Sequence, residues 1–173
     1  MKKIIILFFF ISQICDCLAQ KHDNVWLFGY DNNPNDPNFG GTTIDFNFNP
    51  SDIYYEYREM NFGVTNVSIC DTAGNLLFYT NGVYIANSIG EPMVNGTGLD
   101  YGTYPLVNSD WGVFTRQGVM VLPNPGSSSE YYLLHTPKDQ GFGAIPVHSS
   151  KIYYSAVDMN QDNGKGAVIE KKY

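Results

Sequence analysis

The chain is 173 residues long, has a formal net charge of −7, and is 15% aromatic but only 16% charged. This length can bury the core of one domain. The acidic balance argues against nucleic acid as a partner, because phosphate binding needs clustered Lys and Arg, and beyond the N terminus such a cluster occurs only at Lys171–Lys172. Many Tyr, Gly and Asn residues with few charges indicate a β-rich extracellular protein.

The N terminus has the three parts of a secretory signal peptide. Lys2–Lys3 supply the positive charge, an apolar run follows over 4–14, and small residues precede a cleavage site after Ala19. The run is far shorter than the ~20 apolar residues of a membrane span. We therefore predict a signal peptide over 1–19 and a single β-rich domain over 20–173. The protein is expected to be secreted or at the cell surface, with no membrane span after cleavage.

Three cysteines occur in the chain, and two of them would leave with the signal peptide. Neither Cys15 nor Cys17 follows the small residue that lipoprotein processing prefers, so an acylated N terminus is the lesser alternative. Cys70 then remains alone and has no internal disulfide partner. It is interpreted as a small buried hydrophobe, with intermolecular pairing as the alternative.

After the leader, the residues in chain order indicate β-structure. NVWLFGY (24–30) predicts a short aromatic strand, and the polar residues 31–41 predict a loop. Apolar and polar residues alternate in TTIDFNFNP (42–50), which is typical of a strand with one covered face. The window SDIYYEYREMNF (51–62) is compatible with either a helix or a Tyr-rich strand.

Three β-hairpins are predicted in the remainder of the chain. Each joins two apolar or aromatic strands through Asn, Asp, Gly or Ser; the hairpins are VTNVSIC–DTAGN–LLFYTNG, GVMVLP–NPGSSSE–YYLLHTP and KIYYSAVDM–NQDNGKG–AVIEKKY. In the first turn, Asp71 can bond the backbone two residues on, and Gly74 supplies a positive φ.

Neighbouring apolar residues in LLFYT (76–80) and YYLLH (131–135) indicate strands covered on both faces, and hence sheets stacked on sheets. The turn centres at Gly74, Gly126 and Gly164 have a mean spacing close to the ~40–50 residues of one propeller blade. At that repeat length, about 150 residues of mature chain supply about three blades. The predicted fold is all-β, a partial β-propeller with about three blades of antiparallel sheet. A β-sandwich is the alternative, which the chain length favours.

Several strings carry a family resemblance: NVWLFGY, GNLLFYTNG, LPNPGS with YYLLH, and YYSAVDM, in this order. Together they resemble the N-terminal region of large exported proteins of Bacteroidota. That region resembles a β-propeller of WD40-like repeats, and a sorting domain for type IX secretion often follows it. The resemblance implies export, surface display or release, and a recognition role. It implies no reaction, no catalytic residues and no cofactor.

The printed sequence ends at Tyr173 after about three predicted blades, without a sorting domain. A partial propeller of this kind is expected to have an open blade edge with unpaired backbone groups. Further blades or a partner chain would pair with that edge. A truncated remnant, or a spacer of a longer surface protein, therefore stays open as an interpretation.

One loop has the spacing of calcium ligands. Asp158, Asn160 and Asp162 alternate as the first ligands of an EF-hand do. The pattern then fails, because Asn163 stands where Gly is required and Ile169 where Glu is required. A hairpin turn rich in Asx turns is favoured over a calcium site, and no other metal site is predicted.

Exposed aromatic residues are the remaining binding candidates, because Tyr and Trp stack on sugars and form protein contacts. Tyr101, Tyr104 and Trp111 are the best of them, since polar turn residues interrupt the stretch 101–114. Four more tyrosines are expected in or near loops: Tyr30, Tyr54, Tyr55 and Tyr84. Packing between blades is the alternative for most of these rings.

These observations favour an exported, non-enzymatic recognition or adhesion module that binds an extracellular glycan or a surface protein. The second interpretation is the remnant or spacer. The third is an enzyme domain acting on polysaccharide, whose pair of carboxylates would be assembled only by the fold. Five glutamates are available for such a pair: Glu56, Glu59, Glu91, Glu130 and Glu170.

Overall fold

A computed structural model describes residues 20–29, 40–99, 102, 111–113, 115–140 and 147–173. Within these ranges the chain is organised almost entirely as β-strands and turns, so the all-β prediction is confirmed. The signal peptide predicted over 1–19 lies outside the described residues. No helix in the described part of the chain has the length and apolarity needed to cross a bilayer.

The first sheet has three antiparallel strands in the order β1-β2-β3: β1 Val25–Phe28, β2 Thr42–Asp45 and β3 Asp52–Tyr55. The window 51–62 therefore contains a strand. The strand predicted over 42–50 is shorter than expected, because the Asp45 carboxylate accepts the Asn47 N–H at 2.8 Å and turns the chain.

The second sheet has eight strands and consists of two four-stranded meanders. The first meander is β4 Val67–Cys70, β5 Leu76–Thr80, β6 Tyr84–Asn87 and β7 Pro92–Thr97. The second is β8 Val119–Pro123, β9 Glu130–His135, β12 Tyr153–Asp158 and β13 Ala167–Lys172. A two-stranded hairpin, β10 Asp139–Gln140 with β11 Val147–His148, lies between β9 and β12 in the chain.

The two meanders are joined through their last strands, because Ala167 of β13 pairs in parallel with Val94 of β7. The strand order is β4-β5-β6-β7-β13-β12-β9-β8, so β4 and β8 are the two ends of the sheet. These ends approach each other across a groove of about 530 Å³ lined by Val67 and Val119. The sheet is therefore nearly closed and barrel-like.

All three predicted hairpins are confirmed, as β4–β5, β8–β9 and β12–β13. In the first turn, Asp71 Oδ1 accepts the N–H groups of Ala73 at 2.8 Å and Asn75 at 2.9 Å. Gly74 has φ +94°, the conformation predicted for it.

The strands of the first meander contribute to two separate cores. One core lies between the two meanders; its residues include Ile69, Phe78, Ile85, Leu133 and Val157. The other lies between the first meander and the three-stranded sheet; its residues include Val25, Leu27, Cys70, Tyr79 and Ala86. The molecule is thus a stack of three layers of sheet.

The prediction of two covered faces is confirmed for one strand and wrong for another. In 76–80, Phe78 packs in one core and Tyr79 in the other. In 131–135, Leu133 is buried, but Tyr132 and Leu134 lie on the outer side of the second meander and are only partly buried. Among the described residues, no further layer of sheet covers that side.

The shared core and the edge-to-edge pairing of the meanders fit a barrel-like or sandwich-like fold. The β-sandwich was the alternative in the sequence analysis. A partial propeller with about three blades stays a prediction.

Candidate functional site: an aromatic sheet face

The outer side of the three-stranded sheet is covered with large apolar side chains. We call it the aromatic face; its exposed residues are Trp26, Phe28, Phe46, Ile53 and Tyr55, each between 40% and 65% exposed. Two alternating residues of the same strand, Val25 and Leu27, point inward and are buried in the second core. An exposed, contiguous group of this kind marks an interaction surface.

Three rings of this face are in contact through Trp26. Trp26 lies at the centre, with its ring centroid 5.1 Å from Phe46 and 6.2 Å from Phe28, both in edge-to-face contact. Trp26 is paired across the sheet with Ile44, and Ile44 with Ile53. Such contacts hold the rings in fixed relative positions and give the face a defined shape.

The aromatic face carries no charged side chain within the three strands. The charged strand residues, Asp45 and Asp52, are in register with the inward-facing Val25 and so belong to the other side of the sheet. An uncharged aromatic surface can stack on the apolar face of a sugar or pack on an apolar protein surface.

Hydrogen bonds fix the sheet that carries this face to the first meander. Ser68 of β4 donates to the Val25 carbonyl at 2.6 Å, and Asn66 donates to the Leu27 carbonyl at 3.1 Å. Asn47, next to Phe46, donates to the Gly74 carbonyl at 2.9 Å. The face is therefore anchored to a rigid support, as a preformed binding surface requires.

A cleft of about 340 Å³ lies at the margin of the three-stranded sheet and is a second concave feature. Its lining includes Glu56, Tyr57, Arg58, Glu59 and Glu91. The buried Arg58 guanidinium donates to Glu56, and Lys165 donates to Glu91 at 2.8 Å. Hydrogen bonds from Lys165 and Asn87 lower the pKa of Glu91, so this carboxylate is ionised at neutral pH.

Of the three predicted binding residues, only Trp111 lies in the described part of the chain. Tyr101 and Tyr104 lie outside the described residues. Trp111 is partly exposed, and its carbonyl accepts the Gly63 N–H at 3.1 Å. Trp111 is not among the residues of the aromatic face, and a binding role for Tyr101, Tyr104 and Trp111 stays a prediction.

The other predicted tyrosines in the described ranges lie at strand ends, next to loops. Tyr54 and Tyr55 lie within β3, and only Tyr55 points to the aromatic face, because neighbouring strand residues alternate between the two sides. Tyr84 lies in β6 and packs against the second core. Tyr30 is outside the described residues.

The loop of the calcium candidates has the contacts of an Asx turn. Asp158 Oδ1 accepts the Asn160 N–H at 3.0 Å, and its Oδ2 accepts the Gln161 side-chain amide at 2.8 Å; these bonds lower the pKa of Asp158. Asp162 begins a short 3₁₀ turn, Asp162–Gly164. Across the described ranges, no group of three or more His, Cys, Asp or Glu side chains is placed to hold a metal ion. A calcium site at Asp158, Asn160 and Asp162 stays a prediction.

Sequence reasoning missed Trp26, Phe28 and Phe46 as exposed residues. In the run 25–28 every residue is apolar, so no polar partner marks the side that faces solvent. The only available signal is side-chain size, since Val25 and Leu27 are smaller than Trp26 and Phe28, with which they alternate.

The fold and the face together define a class: an all-β protein of three layered sheets with an exposed aromatic surface. Comparisons of the chain with protein-family models, with curated proteins and with solved structures gave no match.

Proposed function

We propose that the protein is an exported, non-enzymatic recognition or adhesion module, and that the aromatic face is its binding surface. One observation carries this proposal: the face presents contiguous exposed rings, has no charged side chain within its three strands, and is fixed to the first meander by hydrogen bonds. The partner class is an extracellular glycan or a surface protein, because both bind through exposed aromatic rings.

The wider setting of the proposal comes from the sequence. A signal peptide over 1–19 would direct the chain to secretion or the cell surface, and the resemblance to type IX-secreted proteins of Bacteroidota supports such a destination. A partial propeller of about three WD40-like blades rests on the turn spacing and on the same resemblance. Mass spectrometry of the exported protein tests the predicted signal peptide. An N terminus at Gln20 is expected, and an acylated N-terminal Cys would contradict cleavage after Ala19.

The binding role is tested with a glycan array and a whole-cell binding assay on the purified exported chain. Trp26→Ala should weaken binding at least tenfold, because a central aromatic contact at an interface contributes about 2 kcal/mol or more. Ile152→Ala is the control; Ile152 is also exposed, and it directly precedes β12 of the second meander. Absence of binding in both assays, or equal binding by the two variants, would contradict the proposal.

Activity on polysaccharide is a second candidate, favoured by a cleft whose lining includes Glu56, Glu59 and Glu91. A pair of carboxylates in a concave site is what glycoside hydrolysis requires. Release of reducing sugar by the wild type, lost in Glu59→Gln and retained in Glu130→Gln, would establish this function. A spacer or remnant of a longer surface protein is the alternative if neither binding nor hydrolysis is found.

A further inference from the structure

The cleft at the margin of the three-stranded sheet contains a hydroxyl group on an otherwise buried ring. Tyr79 is 2% exposed, and its ring packs edge-to-face on Phe62 in the second core. Tyr79 is nevertheless part of the cleft lining, which its hydroxyl reaches. A Cβ on Gly90 would lie 3.5 Å from the hydroxyl oxygen, so the glycine at this position leaves room beside the hydroxyl.

The Tyr79 hydroxyl forms no hydrogen bond with another residue in the described ranges. A hydroxyl on a buried ring costs free energy unless it is hydrogen-bonded, so its partner must enter through the cleft. Burial is the main cause that raises the pKa of this hydroxyl, and the carboxylates of Glu56 and Glu59 raise it further. The hydroxyl therefore keeps its proton at neutral pH and can donate it to a ligand.

The walls of the cleft are held in place by buried side chains. On one side, Thr43 donates to Glu56 Oε2 at 3.1 Å, and the buried Arg58 donates to the same carboxylate. On the other side, Asn87 is 2% exposed, and its side-chain oxygen accepts the Glu91 N–H at 3.0 Å. The groups of the cleft are therefore fixed in position before a ligand binds, as in most small-molecule sites.

The charges of the cleft leave one carboxylate available. Arg58 neutralises Glu56, with which it forms an ion pair. Lys165 lies 2.8 Å from Glu91 and neutralises that carboxylate. Glu59 is exposed and, in the described part of the chain, has neither an ion pair nor a hydrogen bond. The cleft thus offers a ligand one free acceptor, the Glu59 carboxylate, in addition to the donor described above.

This donor and this acceptor together select a ligand hydroxyl. A hydroxyl can accept a hydrogen bond from Tyr79 and donate one to Glu59. An ammonium group only donates and would leave the Tyr79 O–H without an acceptor, whereas an anionic group would be repelled by Glu59. Tyr57 also lines the cleft and is 48% exposed, so its ring can stack on the apolar face of a sugar. A volume of about 340 Å³ is within the range of small-molecule sites.

We propose that this cleft binds an uncharged sugar residue, one hydroxyl of which accepts a hydrogen bond from Tyr79 and donates one to Glu59. The inference rests on the proposed function in one respect, since it takes an extracellular glycan as the partner. It adds a binding site that is separate from the aromatic face. Binding in this cleft makes and breaks no covalent bond, so it does not depend on hydrolytic activity.

Titration of the ¹⁵N-labelled exported chain with single sugars, followed by NMR, tests the proposal. The probes are the methyl glycosides of glucose, galactose, mannose and N-acetylglucosamine, each added up to about 50 mM because ligands of this size bind weakly. With at least one of them, the backbone amide signals of Glu59 and Gly90 should shift along a saturable curve, and that of Trp26 should not. Absence of a saturable shift at Glu59 and Gly90 with all of these sugars overturns the proposal.

The decisive variant is Tyr79→Phe, which removes the hydroxyl and keeps the ring. It should weaken sugar binding about two- to tenfold, the effect of one lost hydrogen bond. Because the hydroxyl has no internal partner, the variant should unfold in urea at the wild-type midpoint or above it. Tyr131→Phe is the matched control and should bind as the wild type does; Tyr131 is 4% exposed, packs in the core between the meanders and does not line the cleft. Unchanged binding by Tyr79→Phe, or a lower urea midpoint, overturns the proposal.

These outcomes are separate from those that test the aromatic face. If no sugar shifts the signals of Glu59 and Gly90 but Trp26→Ala weakens binding to the glycan array or to cells, the cleft proposal is wrong and the role of the aromatic face stands. If Tyr79→Phe weakens the sugar-induced shifts while Trp26→Ala binds the array and the cells as the wild type does, the cleft proposal stands and the role of the aromatic face is wrong.

Discussion

Replacement of either of two neighbouring residues in β5 tests the three-layer arrangement directly. Phe78 is fully buried between the meanders, and Tyr79 is 2% exposed beneath the three-stranded sheet. Phe78→Ala should lower the free energy of unfolding by about 3–5 kcal/mol, because it removes a buried ring and leaves a cavity. Tyr79→Ala should lower it by about 2–4 kcal/mol, since its ring packs edge-to-face on Phe62 at 5.9 Å.

The assay is equilibrium urea denaturation followed by circular dichroism, with the midpoint shift interpreted at constant m-value. Met120→Ala is the control, because Met120 is more than half exposed, and a loss below about 1 kcal/mol is expected. If Phe78→Ala does not fold, Phe78→Leu replaces it, with a smaller loss in the same direction. A Tyr79→Ala variant as stable as the control would refute the second core, since a two-layer molecule leaves that ring in solvent.

Three further predictions follow from buried groups and tight turns. Burial, assisted by the charge of Lys171, lowers the pKa of His135 to about 4. The unfolded chain then binds more protons than the folded one between pH ~6.5 and ~4, so the melting temperature should fall as the pH drops through that window. His135→Gln should flatten this dependence. Burial raises the pKa of the Cys70 thiol to about 11, so a thiol reagent at pH 8 should label Cys70 of the mature chain only after denaturation; labelling of Cys70 in the native protein would contradict the burial. Gly74→Ala should destabilise by more than about 1 kcal/mol, because Gly74 has φ +94° and a Cβ there would lie 2.2 Å from Asn47 Oδ1. Gly126→Ala, where the nearest atom would be 3.6 Å away, should be close to neutral in the same urea titration.

Local chemistry allowed the hairpins to be predicted from the sequence. Asp71 and Gly74 set the turn between β4 and β5 through contacts only a few residues apart. Such local contacts can be predicted from neighbouring residues in the sequence. The parallel pairing of β13 with β7 could not be found in this way. Ala167 and Val94 are distant in the chain, and neither carries a signal for the other.

The aromatic face illustrates a second limit of prediction from the sequence. The strand 25–28 is apolar at every position, and alternation therefore identifies two sides without showing which one is buried. The packing of Val25 and Leu27 in the second core, with residues of the first meander that are distant in the chain, shows which side is buried. The loop candidates Tyr101 and Tyr104 were chosen because polar neighbours suggested exposure, a criterion that overlooks exposed residues inside strands.

The middle layer, β4–β6, has a consequence for the way the molecule melts. Each of its strands gives adjacent residues to different cores, as Ile69 and Cys70, Phe78 and Tyr79, and Ile85 and Ala86 do. Unfolding of this layer exposes one side of both cores at once, so neither core can remain folded without the other. Calorimetry should accordingly record a single cooperative endotherm, with matching calorimetric and van't Hoff enthalpies.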